Sequence, residues 1–177
     1  IDEQEGYGPL RDFVGRLVDA GCDALTVHAR KAWLKGLSPK ENREIPPLNY
    51  EVVHRLKQDF PRLPIAINGG LVTVEAVEAQ LRHVDGVMLG RVAYHDTCLL
   101  AECDARLFGG VAPSRRSVAL RMLPYIEARR ADGVPLSAIT RHMLGLYQGV
   151  PGGRAYRRHL SENAHRPGAG PSTLTEA

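Results

Sequence analysis

The sequence is short of cysteine, aromatic residues and long apolar runs, and each shortage removes a class of protein. Three cysteines in 177 residues cannot build the disulfide framework of a small secreted scaffold. His95, Cys98 and Cys103 lie near one another in the sequence. Helical placement would put 95 and 98 on one face and turn 103 away, with no second ligand pair, so ordinary packing is expected and no metal. No stretch approaches the ~18 consecutive apolar residues of a membrane span, and no basic-then-apolar signal segment opens the chain, so no membrane partner and a cytoplasmic location are expected. The dinucleotide fingerprint Gly-x-Gly-x-x-Gly and the phosphate loop Gly-x-x-x-x-Gly-Lys-Ser/Thr are both missing, which argues against dinucleotide or triphosphate sites of those kinds.

What is present fits a soluble globular chain: 44% hydrophobic, 24% charged, 6% aromatic, net charge +3. The charge is unevenly spread. Residues 1–111 hold 13 basic and 16 acidic side chains, whereas residues 112–177 hold ten Arg, no Lys and four acids. A basic half made only of Arg suits phosphate, because the guanidinium fork meets phosphate oxygens two at a time and stacks on bases. Solvated helix faces are the competing explanation. The chain begins with Ile1 rather than Met, and Ile1 to Gly6 reads as the end of one element followed by a loop, the pattern expected of an internal piece of a longer protein.

Leu10, Phe13, Val14, Leu17 and Val18 form the apolar stripe of a helix, with Gly21 where a C-terminal cap belongs. Ala24 to His28 reads as a short buried strand, and the loop from Ala29 to Asn49 is long enough to suggest a function. A helix follows from about Asn49 to before Pro61, then a strand at Pro64 to Ile67 ending in Asn68-Gly69-Gly70. Thr73 caps a helix with Val77 and Leu81 inward. Gly86 to Leu89 is a third strand closed by Gly90-Arg91, and helix continues to about Phe108. Strands alternating with helices predict right-handed βαβ units and a parallel sheet. From residue 112 only helical patterns occur, at Val118 to Arg130, Ser137 to Tyr147 and Arg154 to about Asn163, and the small, polar residues from Arg166 suggest disorder. The expected division is 1–111, 112–165 and a tail at 166–177.

Ligands of parallel α/β folds collect at the carboxyl ends of strands. The three ends here are His28-Ala29-Arg30, Asn68-Gly69-Gly70 and Gly90-Arg91. Glycine lets an anion approach the backbone, amides at a helix start donate to phosphate, and His28 and Arg91 bring donors and charge. Each piece has a plainer explanation, since Asn-Gly-Gly serves as a turn and a strand-end His as a structural group. Their recurrence on consecutive strands reads as a phosphate-binding mouth.

Four segments carry a family resemblance: VHARKAWLKGLSPKENREIPPL (27–48), AINGG (66–70), VDGVMLGRVAYHD (84–96) and MLGLYQGVPGGRAYRRHLSE (143–162). Together they resemble the A-type tRNA-dihydrouridine synthases, also called tRNA-dihydrouridine(20/20a) synthases, from about Ile1 to His165. The resemblance implies strands six to eight of a (βα)₈ TIM barrel followed by an all-helical tRNA-binding domain. In the family, NADPH reduces FMN, hydride passes to C6 of a D-loop uridine of tRNA, and a cysteine protonates C5. Carried over, His28 stands near the flavin, while Asn68, Gly69, Gly70, Gly90 and Arg91 hold the FMN phosphate. Lys40, Arg43, Arg154, Arg157 and Arg158 face tRNA. No catalytic residue is carried over: the family's cysteine and flavin-contacting lysine match positions upstream of residue 1, and Cys22, Cys98 and Cys103 are not at the catalytic position. A monomer, inactive alone and poor at holding FMN, is expected. Two alternatives stand beside this: a non-catalytic tRNA-binding module, or another FMN- or phosphate-binding barrel oxidoreductase.

Overall fold

Helical spacing of apolar residues opens the first unit of the chain in a computed structural model that describes Gln4 and residues 6–177. The loop expected at Ile1 to Gly6 falls largely on Ile1, Asp2, Glu3 and Glu5, which lie outside the described residues, as does the start of the 1–111 segment. Pro9, which suits a first turn, starts α1 (Gly8–Asp19), and Gly21 closes it with φ at +90°. Only Val14 of the stripe is fully buried, while Phe13 is 58% exposed.

There follow β1 (Leu25–His28), a 3-10 turn at Glu41–Arg43, α2 (Tyr50–Asp59), β2 (Ile65–Asn68), α3 (Val74–Leu81) and β3 (Gly86–Met88). The Asn49 and Thr73 side chains accept hydrogen bonds from the Val52 and Ala76 amides, so local polar chemistry sets both helix starts. The strands pair in parallel in the order β1-β2-β3, with His28 opposite Asn68 and Asn68 opposite Met88. The α/β class and the parallel sheet expected from the sequence are therefore present.

Ile65, Ile67 and Leu56 have no exposed surface and form the core with Val14, Val53, Leu63, Leu71 and Val84. Asp85 joins the strand starts by accepting from the Ile65 amide at 2.8 Å and from Lys57 Nζ at 2.7 Å. The lysine bond, and then the amide, hold its carboxyl below the usual range. The Tyr7 hydroxyl donates to Asp59, which also pairs with Arg11; burial, then the Asp59 bond, push the phenol up to about 12. Expectation and structure differ at β1, which is half-buried and exposed in alternation rather than buried. As an outer strand of the described sheet, it has a neighbour on one side only.

The second unit begins at Arg91. It contains α4 (Val92–His95), α5 (Cys98–Phe108), α6 (Arg115–Arg121), α7 (Leu123–Ala131), α8 (Leu136–Thr140), α9 (Gly153–Asn163) and α10 (Pro171–Thr175). Ile126, Leu136, Leu146, Tyr156 and Leu160 are among its most buried side chains. Residues 91–111, expected with the strands, fall here because Cys98 is part of this core, and its thiol donates to the Leu146 carbonyl.

Three local features depart from the sequence reading. The helix expected from Val118 to Arg130 breaks at Met122, because Pro124 lacks an amide proton and its ring obstructs the preceding turn. The helix expected over Ser137 to Tyr147 stops at Thr140. The Leu146 carbonyl is engaged by Cys98 and Arg115 instead of a helix bond, and a Cβ on Gly145 would lie 2.5 Å from the His95 carbonyl oxygen. The tail at 166–177, expected to be disordered, instead forms α10 and buries Leu174 (4% exposed) in the helical core. A short apolar anchor outweighs the polar composition around it.

That anchoring is testable. Leu174→Ala should lower the stability of the helical unit by about 2–4 kcal/mol in urea denaturation, the cost of emptying a buried leucine site. A disordered tail would leave the transition unchanged.

Candidate functional site

The strand ends meet at one carboxamide. Asn68 Nδ2 donates to the Met88 carbonyl at 2.6 Å, and Asn68 Oδ1 lies 2.6 Å from His28 Nδ1. Because the amide nitrogen faces a carbonyl, Oδ1 must accept, so His28 carries its proton on Nδ1 and keeps Nε2 as its uncommitted ring nitrogen. The Ala29 amide donates to the Asn68 carbonyl at 2.8 Å. One side chain at the end of β2 thus ties β1 to β3.

The two glycines after Asn68 are left-handed, with φ of +120° at Gly69 and +67° at Gly70. A Cβ on Gly70 would fall 2.5 Å from Leu48, and the Tyr50 hydroxyl donates to the Gly69 carbonyl at 2.8 Å. The backbone must therefore be glycine there for packing as well as for φ. Gly90 differs: a Cβ would meet only Asn68 Nδ2, at 3.9 Å, and no steric demand of the fold requires glycine. An open approach to backbone beside a polar hub suits an anionic group. His28, Asn68, Gly69, Gly70 and Gly90 all belong to the first unit, whereas exposed Arg91 stands at the N-cap of α4 in the second.

The long loop after β1 is built rather than slack. Asn42 accepts from the Trp33 amide and donates to the Trp33 carbonyl, both at 2.7 Å, mimicking a strand pair with one side chain. Ser38 and Glu41 exchange side-chain bonds with each other's amides at 3.3 and 2.8 Å, a reciprocal cap for the 3-10 turn, and Ser38, first through its side chain and then through its amide, holds the Glu41 carboxyl below its usual range. Arg30 donates to the Glu44 and Pro46 carbonyls. Lys40 and Arg43 sit exposed on this frame. Sequence reasoning missed Asn42 and Arg30 as the loop's supports and Tyr50 as the partner of the Gly69 carbonyl; the Ser-x-x-Glu spacing at 38–41 was the signal available for the loop's cap.

In the second unit, α9 places Arg154, Arg157 and Arg158 at i, i+3 and i+4, one face of the helix, while Tyr156 and Leu160 face the core. Arg157 donates to Gln148 Oε1 at 3.1 Å. Arg154 and Arg157 line a cleft of about 310 Å³ with Tyr147, Gln148 and Val150. Gly153 is obligatory, since a Cβ would fall on the Tyr147 carbonyl oxygen. Burial, then the nearby Tyr147, raise the Tyr156 hydroxyl to about 12.

None of the cysteines stands at a strand's carboxyl end. Cys22 donates to the Ala24 carbonyl just before β1, while Cys98 and Cys103 are buried in the helical unit. Burial pushes the Cys98 thiol up, away from the thiolate form. Among the described residues, no group of three His, Cys, Asp or Glu side chains could hold a metal, and no helix is long and apolar enough to cross a membrane.

The family model for dihydrouridine synthase (Dus) matches residues 1–176. Among curated proteins, the tRNA-dihydrouridine(20/20a) synthase of Vibrio parahaemolyticus serotype O3:K6 is 55% identical over 180 residues, covering 100% of this chain and 55% of that protein. The proteins of the same description from Yersinia pestis and Xanthomonas campestris pv. campestris are 54% and 49% identical, each over 100% of this chain and 52% and 53% of their own lengths. The chain spans about half the length of the curated relatives it matches.

The two kinds of glycine separate in the test tube. Gly70→Ala should destabilise the first unit by about 1–3 kcal/mol, through positive φ and the clash with Leu48. Gly90→Ala should stay within roughly 0.5 kcal/mol. Equal losses in urea melts would show that Gly90 too is held by packing.

Proposed function

The chain belongs to the dihydrouridine synthase family, and from that premise we propose that it forms the C-terminal part of an FMN-dependent tRNA-dihydrouridine(20/20a) synthase. Its sheet corresponds to strands six to eight of a (βα)₈ barrel, and the Arg-rich helices to the tRNA-binding domain. The observation that carries this reading is the Asn68 hub, which gathers three consecutive parallel strand ends beside Gly90, the open one of the glycines Gly69, Gly70 and Gly90.

The roles proposed for the residues are those the resemblance implies, and their placement supports them. Asn68 orients His28, whose Nε2 is turned to use by the commitment of Nδ1. The backbones of Gly69, Gly70 and Gly90 offer amides to the FMN phosphate, and Arg91 adds positive charge. The chemistry such a bound flavin would supply, once reduced by NADPH, is a hydride for C6 of a D-loop uridine. The proton for C5 comes from a family cysteine outside this chain, consistent with three cysteines that are buried or at the wrong end of a strand. Lys40 and Arg43 on the braced loop, and Arg154, Arg157 and Arg158 on α9, contact the tRNA backbone. The protein acts as a cytoplasmic monomer with no metal. A second reading, a tRNA-binding module without catalysis, draws support from the separate core of the second unit.

The experiment joins this chain to the N-terminal half of the Vibrio parahaemolyticus relative and incubates the fusion with NADPH and unmodified tRNA. The fusion should bind FMN and add two hydrogens to a D-loop uridine, detected by mass spectrometry, and the 177-residue chain should do neither. A folded fusion that binds tRNA but never reduces it would favour the module. Stoichiometric flavin and uridine reduction by the chain alone would overturn the assignment of the acid to a missing part.

A further inference from the structure

The second unit carries an array of exposed donors around His142, which lies just before the segment 143–162. Arg141 Nε donates to His142 Nε2 at 3.0 Å, and His142 Nδ1 lies 2.8 Å from the Tyr94 hydroxyl. A guanidinium nitrogen cannot accept, so Nε2 must be the lone-pair nitrogen. His142 is then neutral with its proton on Nδ1, and it donates to the Tyr94 oxygen. The Tyr94 hydroxyl proton is left to donate outward, as are the four N–H groups on the Arg141 terminal nitrogens.

The array is rigid and open. The Tyr94 ring meets His95 and His142 edge-on, with centroids 5.7 and 5.9 Å apart, yet Tyr94 is 53% exposed, and Arg141 and His142 are exposed too. Two other arginines of this unit are neutralised or used internally: Arg115 by Asp96 and the Leu146 carbonyl, Arg129 by Asp132. Arg141 is held instead by an uncharged imidazole, so it keeps its full positive charge while its orientation is fixed in advance. A face of donors with one positive charge is complementary to a ligand made of acceptors with negative charge. A phosphodiester is that ligand.

We propose that Arg141 and Tyr94 form a contact for an RNA backbone phosphate, with His142 as the positioning residue that aims both. The proposal rests on the tRNA reading of this chain, and it joins Arg141 and His142, outside the four family segments, to Tyr94 near the end of the third.

The test measures binding of a tRNA transcript by the full 177-residue chain across a salt series. Arg141→Gln should flatten the slope of log affinity against log salt by about one, the signature of one lost phosphate contact. Tyr94→Phe, which removes only an exposed hydroxyl, should weaken binding about three- to tenfold and leave the slope alone. Nitrogen-15 shifts of free His142 should show a protonated Nδ1 and an unprotonated Nε2. An unchanged slope and affinity in both variants, against a wild-type chain that binds tRNA, would overturn this site and leave the functional reading standing. The opposite tautomer would overturn the donor array, and a wild-type chain with no tRNA affinity at low salt would overturn both the site and the reading.

Discussion

The carboxamide of Asn68 is the interaction on which the first unit's chemistry depends. Backbone ladders align three parallel strands but do not fix what stands at their ends. A side chain that donates to the Met88 carbonyl and accepts from His28 does so, spanning both outer strands from the middle one. It also selects the tautomer of His28. An aspartate, of the same length but with no N–H, could not donate to Met88, and an apolar residue would leave both partners unpaired.

Burial across the sheet carries a second constraint. Ile65 and Ile67 on β2 have no exposure, while Met88 at the end of β3 is 51% exposed and Phe13 on α1 is 58% exposed. Parallel strands are normally covered on both faces and flanked on both edges. The inner strand meets that condition and the outer strands do not, which accords with a chain spanning about half the length of its curated relatives. In the helical unit Ile126, Leu136 and Leu160 are within 1% of full burial, while Phe108 and Val111 stand 83% and 95% exposed.

Much of this was legible in the sequence where the signal is local. β-Branched runs marked the strands, and Asn49 and Thr73 marked helix starts because a side-chain oxygen two or three residues ahead of an amide can cap it regardless of tertiary context. The strand-end residues were legible as a set, since parallel strands bring their ends to one side. What escaped is what only packing decides. Cys98 reads as an ordinary small residue until the Leu146 carbonyl is beside it, so the unit boundary was placed too late. Leu174 is one apolar side chain in a polar tail, and no periodicity announces a five-residue helix. Asn42 acts through a backbone nine positions away, and Tyr94 and His142 meet across 48 positions.

The central claim is that the ends of β1, β2 and β3 hold a phosphate. Amide spectra of the nitrogen-15-labelled chain, recorded during titration with FMN and separately with riboflavin, which lacks the phosphate, test it most directly. The account predicts weak binding in which the Gly69, Gly70 and Gly90 amides shift with FMN and hardly with riboflavin. Equal shifts with both compounds, or FMN shifts confined to other residues, would contradict it.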